Sequence, residues 1–185
     1  GDWSSDVCSS DLTTIYLVRH GETFDNVRHI MQGQTHGQLN ENGIKQAQEL
    51  GKKLVDIHFD AYISSDLQRS FDTCKWIVGE RKASQIVCTQ LLRERDWGSF
   101  TGRYIPELAN LNNPSEWPDD IETLDELKQR AKHFLDWIKS EYPDKVILAV
   151  GHGIINKAIQ SVFYDKPMNE IAVMKNADIR ILQLI

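Results

Sequence analysis

Short apolar runs alternate with amphipathic stretches along most of this chain. Ile15-Tyr16-Leu17-Val18 and Val146-Ile147-Leu148-Ala149-Val150 are β-branched-rich and uninterrupted, which predicts strands buried on both faces. Residues 59–63 predict a further strand, and so do residues 86–88, running on to Leu91-Leu92. Between these runs the apolar positions recur at spacings of three and four, as in amphipathic helices. One such set is Ile44, Ala47, Leu50, Leu54 and Ile57 behind an Asn40 cap. A second is Leu67, Phe71, Cys74, Ile77 and Val78, with Ser64-Ser65-Asp66 as its loop and cap. A third is Leu124, Leu127, Ala131, Phe134, Leu135 and Ile138, and a fourth helix covers residues 154–163. Residues 176–185 alternate and suit an edge strand or hairpin. Strands alternating with helices predict the α/β class, a three-layer α/β/α sandwich around a mostly parallel sheet.

Two stretches follow neither period. Residues 23–38 form a polar, glycine-containing loop longer than most connections. Residues 102–120 carry Pro106, Pro114 and Pro118 and read as an insertion or lid, and the pattern gives no role for residues 103–121. The first twelve residues, rich in Ser and Asp, show no periodicity and no leader-like apolar segment. They resemble a translated sequencing adapter, so they are read as an artefactual or disordered tail, with the folded domain over residues 13–185.

Both buried strands end in the same way, the first in Arg19-His20-Gly21 and the later one in Gly151-His152-Gly153. Ligands of open α/β sheets gather outside the carboxyl ends of the strands. Arg69, in the first turn of a helix, is misplaced by the helix-dipole rule unless an anion sits there. Glu94 follows the third predicted strand. Two imidazoles, two guanidiniums and a carboxyl suit a phosphate ester. Arginine forks match phosphate oxygens, neutral imidazole attacks phosphorus, and a carboxylic acid can protonate the departing alkoxide.

Composition narrows the partners. The 185 residues are 41% hydrophobic, enough for one domain with a substantial core, and no apolar run approaches a membrane span. The formal charge is −6, and without the tail's Asp2, Asp6 and Asp11 the remaining 24 acidic and 21 basic residues leave −3. That balance argues weakly against nucleic acid. Cys8, Cys74 and Cys88 are scattered, indicating neither a disulfide framework nor a zinc site and fitting a reducing cytoplasm. His29, His36, His58 and His133 lack the strand-end context and read as surface or structural residues. Trp97 and Trp117 read either as pocket walls or as partly buried aromatics.

Five blocks, in order, resemble the histidine phosphatase superfamily in its phosphoglycerate-mutase-like branch. They are Leu17-Val18-Arg19-His20-Gly21-Glu22-Thr23 with Asn26; Gln32-Gly33; Ser64-Ser65-Asp66-Leu67 with Arg69; Leu92-Arg93-Glu94 with Gly98 and Gly102; and Gly151-His152-Gly153. The resemblance implies a histidine phosphatase fold and a metal-independent phosphomonoesterase without a cofactor, acting on a small phosphorylated metabolite. It implies His20 as nucleophile, Arg19, Arg69 and His152 as binders of the phosphoryl oxygens, and Glu94 as proton donor. Asn26, Gln32, Gly33 and Gly153 would bind substrate. On this reading His20 attacks as the neutral ring, and His152, if protonated, adds positive charge.

The chain also departs from the pattern. His36-Gly37-Gln38-Leu39-Asn40 replaces the usual Asp and Pro-Leu-Thr, Ile30 stands where an arginine is frequent, and Ile121-Glu122-Thr123 replaces Gly-Glu-Ser. Glu122 remains able to hydrogen-bond near the site. These departures touch the substrate more than the phosphoryl chemistry. Two alternatives compete, a phosphoglycerate-type mutase and a catalytically inactive phospho-ligand binding protein. The chain is short and lacks the Thr-Gly-Trp that mutases resemble at Gln32-Gly33, and all the matched catalytic positions are occupied, so hydrolysis is preferred. The expected partner is a small phosphate ester, with no nucleic acid and no membrane, in the cytoplasm; the oligomeric state stays open.

Overall fold

The computed structural model describes residues 12–185; the reading of residues 1–11 as part of a tail lies outside the described residues. Five strands form one sheet in the order β3-β2-β4-β1-β5. They are β1 (Thr13–Arg19), β2 (Ala61–Ser65), β3 (Ile86–Thr89), β4 (Val146–Gly151) and β5 (Ile179–Leu184). All neighbours are parallel except β5, an edge strand antiparallel to β1. The described residues form five α-helices, α1 (Phe24–Arg28), α2 (Glu41–Lys53), α3 (Gln68–Val78), α4 (Leu124–Glu141) and α5 (Gly153–Tyr164), the last four of which cover the sheet.

The period-two alternation of β1 and β4 decides which helices go where. Ile15, Leu17, Ile147 and Ala149 pack with Leu127, Phe134 and Ile138 of α4 and Ile155 and Ile159 of α5. Val18, Leu148 and Val150 pack on the opposite face with Ala47 and Leu50 of α2 and Cys74 and Ile77 of α3. This is the expected three-layer α/β/α sandwich. Adjacent strands β1 and β4 therefore send their chains to opposite faces, and the gap between their carboxyl ends is a topological switch point. Among the described residues no helix is long and apolar enough to cross a membrane.

Several boundaries differ from the sequence pattern. The strand expected over residues 59–63 lies at Ala61–Ser65, and Ser64 and Ser65 are fully buried within it. Hydroxyl partners make this possible: Ser64 Oγ donates to the Ser65 carbonyl, and Ser65 Oγ accepts from the Leu67 amide. Asp66 is not a helix cap, since Leu67 holds that position without a side-chain bond, and Asp66 forms a bidentate pair with Arg93 instead. β3 stops at Thr89, whose hydroxyl accepts from the Leu91 amide and starts a 3-10 turn over Gln90–Leu92. The polar loop after β1 contains α1, closed by a reciprocal Thr23–Asn26 capping box that sequence periodicity over five residues cannot reveal.

The insertion is not a loose lid. Residues 102–105 bond to the loop after β1, through Gly102 to Met31, Met31 to Arg103 and Ile105 to His29. Met31, Trp97, Phe100, Leu108 and Ile121 bury a small second core beneath it. The Arg95 guanidinium lies 5.0 Å from the Trp97 ring and 5.1 Å from the Trp117 ring, and burial lowers its pKa.

Candidate active site

The parallel register of β1 on β4 sets the site. Arg19 lies opposite Gly151, so the next residues, His20 and His152, emerge side by side. The His20 amide donates to the Gly151 carbonyl at 3.1 Å, and the two imidazole centroids stand 5.1 Å apart. Gly21 then lets the chain press against α2: a Cβ there would fall 2.6 Å from the Gly43 carbonyl oxygen. The Gly21 amide is held by Thr73 Oγ1 of α3 at 2.9 Å.

His20 is buried, and its Nδ1 lies 2.7 Å from the Gly21 carbonyl oxygen. A carbonyl only accepts, so Nδ1 carries the hydrogen and Nε2 presents its lone pair. Burial, then the Arg69 and Arg19 charges, hold the His20 pKa well below 6.5. His152 is fully buried, with Nε2 2.9 Å from Ser65 Oγ and Nδ1 unpaired. Burial first, and then Arg69, His20 and Arg19, hold its pKa well below 6.5 too. Where the sequence reading left a protonated His152 open, its surroundings favour the neutral ring, burial first and the neighbouring positive charges next. Ser65 Oγ accepts from the Leu67 amide and lies beside His152 Nε2, so Nδ1 is the ring nitrogen left for a ligand.

The two neutral imidazoles make stability depend on pH with a definite sign. Below about 6.5 the unfolded rings bind protons that the folded rings refuse, so stability is full above that value and falls as pH drops through it. Each ring contributes a slope of up to about 1.4 kcal/mol per pH unit until its folded pKa is reached. Urea denaturation at about pH 7 and about pH 5.5 should show a clear fall in midpoint at the lower value. An unchanged midpoint would contradict the neutral pair.

Arg19 and Arg69 flank His20. The Arg19 Nη1 donates to the Met174 carbonyl at 2.6 Å, and its guanidinium carbon would lie 3.3 Å from a Cβ at Gly153. Glycine at the start of α5 is what leaves room for that arginine. Arg69 is 1% exposed, and burial lowers its pKa to about 10. Its Nη2 donates to the Gly33 carbonyl at 2.8 Å and its Nη1 to the Thr35 carbonyl. The Nε atoms of both arginines are buried without a partner. With His152 Nδ1, they leave three unanswered polar atoms near one imidazole, two of them guanidinium donors, and an oxyanion is the ligand that suits them.

Glu94 reaches the same cavity from the far side. Its Oε1 accepts from the Arg95, Ile154 and Ile155 amides at 3.0, 3.1 and 2.9 Å, and Oε2 from the Ile154 amide at 3.1 Å. A carboxylate so placed meets the positive end of the α5 dipole. Asn26 lines the cavity while its Oδ1 accepts from the Thr23 amide and from Asn176. Gln32 takes the Thr23 hydroxyl on Oε1, which leaves its amide nitrogen free, and Gly33, with φ +52°, turns its carbonyl to Arg69. Arg19, His20, Asn26, Gln32, Gly33, Arg69, Glu94 and Gly153 all line one cavity of about 610 Å³. Trp97 and Trp117 also line it, so the open choice between wall and buried aromatic resolves as both. His29, His36, His58 and His133 are exposed, as expected.

The sequence reading missed several residues that hold this arrangement: Ser65, Thr73, Asn156, whose Nδ2 donates to the Val18 carbonyl, and Asn176, whose Nδ2 donates to the His20 carbonyl. Thr73, Asn156 and Asn176 are single polar residues outside any motif, and Ser65, although inside one of the five blocks, reads there only as loop and cap. Among the described residues no three His, Cys, Asp or Glu side chains cluster as a metal site requires.

Comparison with known proteins agrees with this geometry. The model of the histidine phosphatase superfamily (branch 1) matches residues 15–184. An uncharacterized phosphatase, PhoE, of Bacillus subtilis is 36% identical over 142 residues, 77% of this chain and 72% of that protein. A metal-independent phosphoserine phosphatase of Arabidopsis thaliana is 35% identical over 173 residues, 85% of this chain and 71% of that protein. The solved structure of YhfR from Bacillus stearothermophilus superposes with a TM-score of 0.82 at 26% identity, covering 91% of this chain and 90% of that one.

Proposed function

Since the chain belongs to the histidine phosphatase superfamily, branch 1, we propose that it is a metal-independent phosphomonoesterase working in two steps through a phosphohistidine. The observation that carries this is the state of His20. It is a buried ring whose surroundings favour the neutral form, with Nδ1 engaged by the Gly21 carbonyl, between two guanidiniums and near three unpartnered polar atoms. A neutral imidazole is a nucleophile, and the surrounding donors neutralise phosphoryl charge as it is transferred.

In the first step Nε2 of His20 bonds to phosphorus while the ester P–O bond breaks. Arg19, Arg69 and the His152 Nδ1–H hold the equatorial oxygens, and Glu94 delivers a proton to the departing alkoxide. The product alcohol leaves. In the second step water attacks the same phosphorus, Glu94 takes its proton, the P–N bond breaks, and inorganic phosphate is released. Four hydrogen bonds from the Arg95, Ile154 and Ile155 amides hold the Glu94 carboxyl in place for both transfers. The cavity beyond the cradle is walled by Ile30, Met31, Ile105 and Leu111 with the two tryptophans, and Asn112 and Lys157 are its polar members. That volume and lining suit a small phosphorylated metabolite. Phosphoserine, the substrate named for the Arabidopsis relative, is one member of that class.

Steady release of nitrophenol from p-nitrophenyl phosphate, undiminished by EDTA, tests the hydrolase reading. Absence of turnover together with phosphoryl transfer between positions of phosphoglycerate would give a mutase instead. Absence of both, with inorganic phosphate still bound, would leave a binding protein. A panel of phosphomonoesters then ranks the leaving groups.

Arg69→Lys separates charge from geometry at the cradle. Lysine keeps a cation but cannot offer the planar fork, so kcat/KM should fall about 10²-fold, and inorganic phosphate should inhibit correspondingly more weakly. Activity within about twofold of wild type would show that Arg69 serves only the loop carbonyls it touches.

A further inference from the structure

The geometry points to Arg130, clamped by Glu122, as the positioning residue for the general acid Glu94, an inference that rests on the phosphatase reading above. Glu94 needs such support. Residues 93–97 lie between two 3-10 turns and belong to no strand or helix, so neither a ladder nor a helix fixes the backbone that aims its side chain. Side chains help fix it instead: Gln34 Nε2 donates to the Glu94 carbonyl at 3.1 Å, and Arg130 and Glu122 hold the segment on both sides of it.

Arg130 projects from the second turn of α4. Its Nη1 donates to the Leu91 carbonyl at 3.1 Å and to the Arg93 carbonyl at 2.5 Å, and its Nη2 to the Glu94 carbonyl at 3.3 Å. The remaining donors form a fork on Glu122, Nε to Oε2 at 3.0 Å and Nη2 to Oε1 at 2.8 Å. Glu122 in turn holds the other side of the acid. Its Oε1 accepts from the Asp96 amide at 3.0 Å, its own amide donates to the Asp96 carbonyl at 2.9 Å, and its carbonyl accepts from Arg95 Nε at 2.8 Å. Residues 91 to 96 are thus tied, before and after Glu94, to a single ion pair whose side chains are 17% and 12% exposed.

Neither Arg130 nor Glu122 lines the cavity that holds His20, so neither touches the ester. The pair has the properties the task requires. Arginine offers five donors in a rigid fork, and each is placed against an acceptor here; lysine offers three on a flexible stem. A fork bound to a carboxylate in a mostly desolvated setting keeps its geometry, whereas an exposed pair would not. An acid misplaced by about 1 Å forfeits up to about 10²-fold in rate.

The experiment exploits what an acid is for. An alkoxide must be protonated to leave, whereas nitrophenolate leaves without help. For Arg130→Met and Arg130→Lys, kcat/KM on an alkyl phosphate such as glycerol 3-phosphate should fall by about 30- to 100-fold. On p-nitrophenyl phosphate it should fall less than about threefold, and the inhibition constant of inorganic phosphate should stay within about twofold. Glu122→Gln keeps the shape and loses the charge, so it should show the same asymmetry to a smaller degree; it decides the matter if the Arg130 variants do not fold. Equal losses on both esters, weaker phosphate inhibition, or no loss at all would overturn the assignment of Arg130. Wild-type inactivity on both esters would overturn the phosphatase reading itself, and an absence of asymmetry in a Glu94→Gln control would remove Glu94 as the acid.

Discussion

A His20→Ala variant should fold normally, retain inorganic phosphate, and lose about four orders of magnitude or more in kcat/KM on every phosphomonoester tested. The size follows from the two-step scheme. Without Nε2 no phosphorus–nitrogen bond forms, and water must attack the ester directly, from a position that the cavity does not prepare. The retained folding follows from what His20 contributes to the core. Its ring makes one hydrogen bond, to Gly21 of its own loop, and the adjoining Gly21 amide is held independently by Thr73. The retained binding follows from the proposed cradle, because the unpartnered atoms of Arg19, Arg69 and His152 remain when the His20 ring is removed. Phosphate protection against urea, measured in the variant, checks that part. Turnover within about tenfold of wild type would end the nucleophile assignment.

The second large effect is selective. Glu94→Gln should lower kcat/KM on alkyl phosphates by about 10²- to 10⁴-fold, the usual range for losing a general acid, and should spare p-nitrophenyl phosphate almost entirely. Glutamine is the informative replacement. With its carbonyl oxygen in the place of Oε1 it still accepts from the Arg95, Ile154 and Ile155 amides. It cannot donate a proton and afterwards retrieve one from water. It also removes a negative charge from the start of α5, so a stability loss of about 0.5–1 kcal/mol in urea is expected alongside. A uniform loss on both ester types would mean that the carboxylate positions α5 and takes no part in the proton transfer.

Much of this was legible in the sequence because the chemistry sits where the pattern changes. Ile15 to Val18 and Val146 to Val150 are apolar enough to be buried strands, and each runs into a histidine beside glycine. Burial of both strands in a parallel sheet then requires their ends to align, which is why two histidines 132 positions apart meet at 5.1 Å. Arg69 stood out in the sequence as out of place for the helix dipole, and in the structure it lines the same cavity with its buried Nε unpartnered.

What escaped has a common cause. The Arg19 and Arg69 guanidiniums are seated on backbone carbonyls of Met174, Gly33 and Thr35, and a carbonyl belongs to every residue type alike. Ser65 read as loop because a hydroxyl in a strand is costly unless its partner is known, and the partner, His152, lies 87 residues away. Arg130 lies on an amphipathic helix where an arginine is ordinarily solvated. The insertion over residues 102–120 is irregular because its order comes from Trp97, Trp117, Phe100 and Met31 meeting across the chain, not from any local period. In each case the missing information was a contact at long range.

The central claim is that phosphorus becomes bonded to His20, and the covalent intermediate can be sought directly. Mix the enzyme with excess ³²P-labelled phosphomonoester, quench with alkali within the first turnovers, digest, and locate the label by mass spectrometry. One phosphorylated residue is expected, His20, with label stable to alkali and lost in mild acid, absent from His20→Ala, and released when the quench is delayed until substrate is exhausted. Ongoing hydrolysis with no label on His20 at any quench time, or label on another residue, would contradict it.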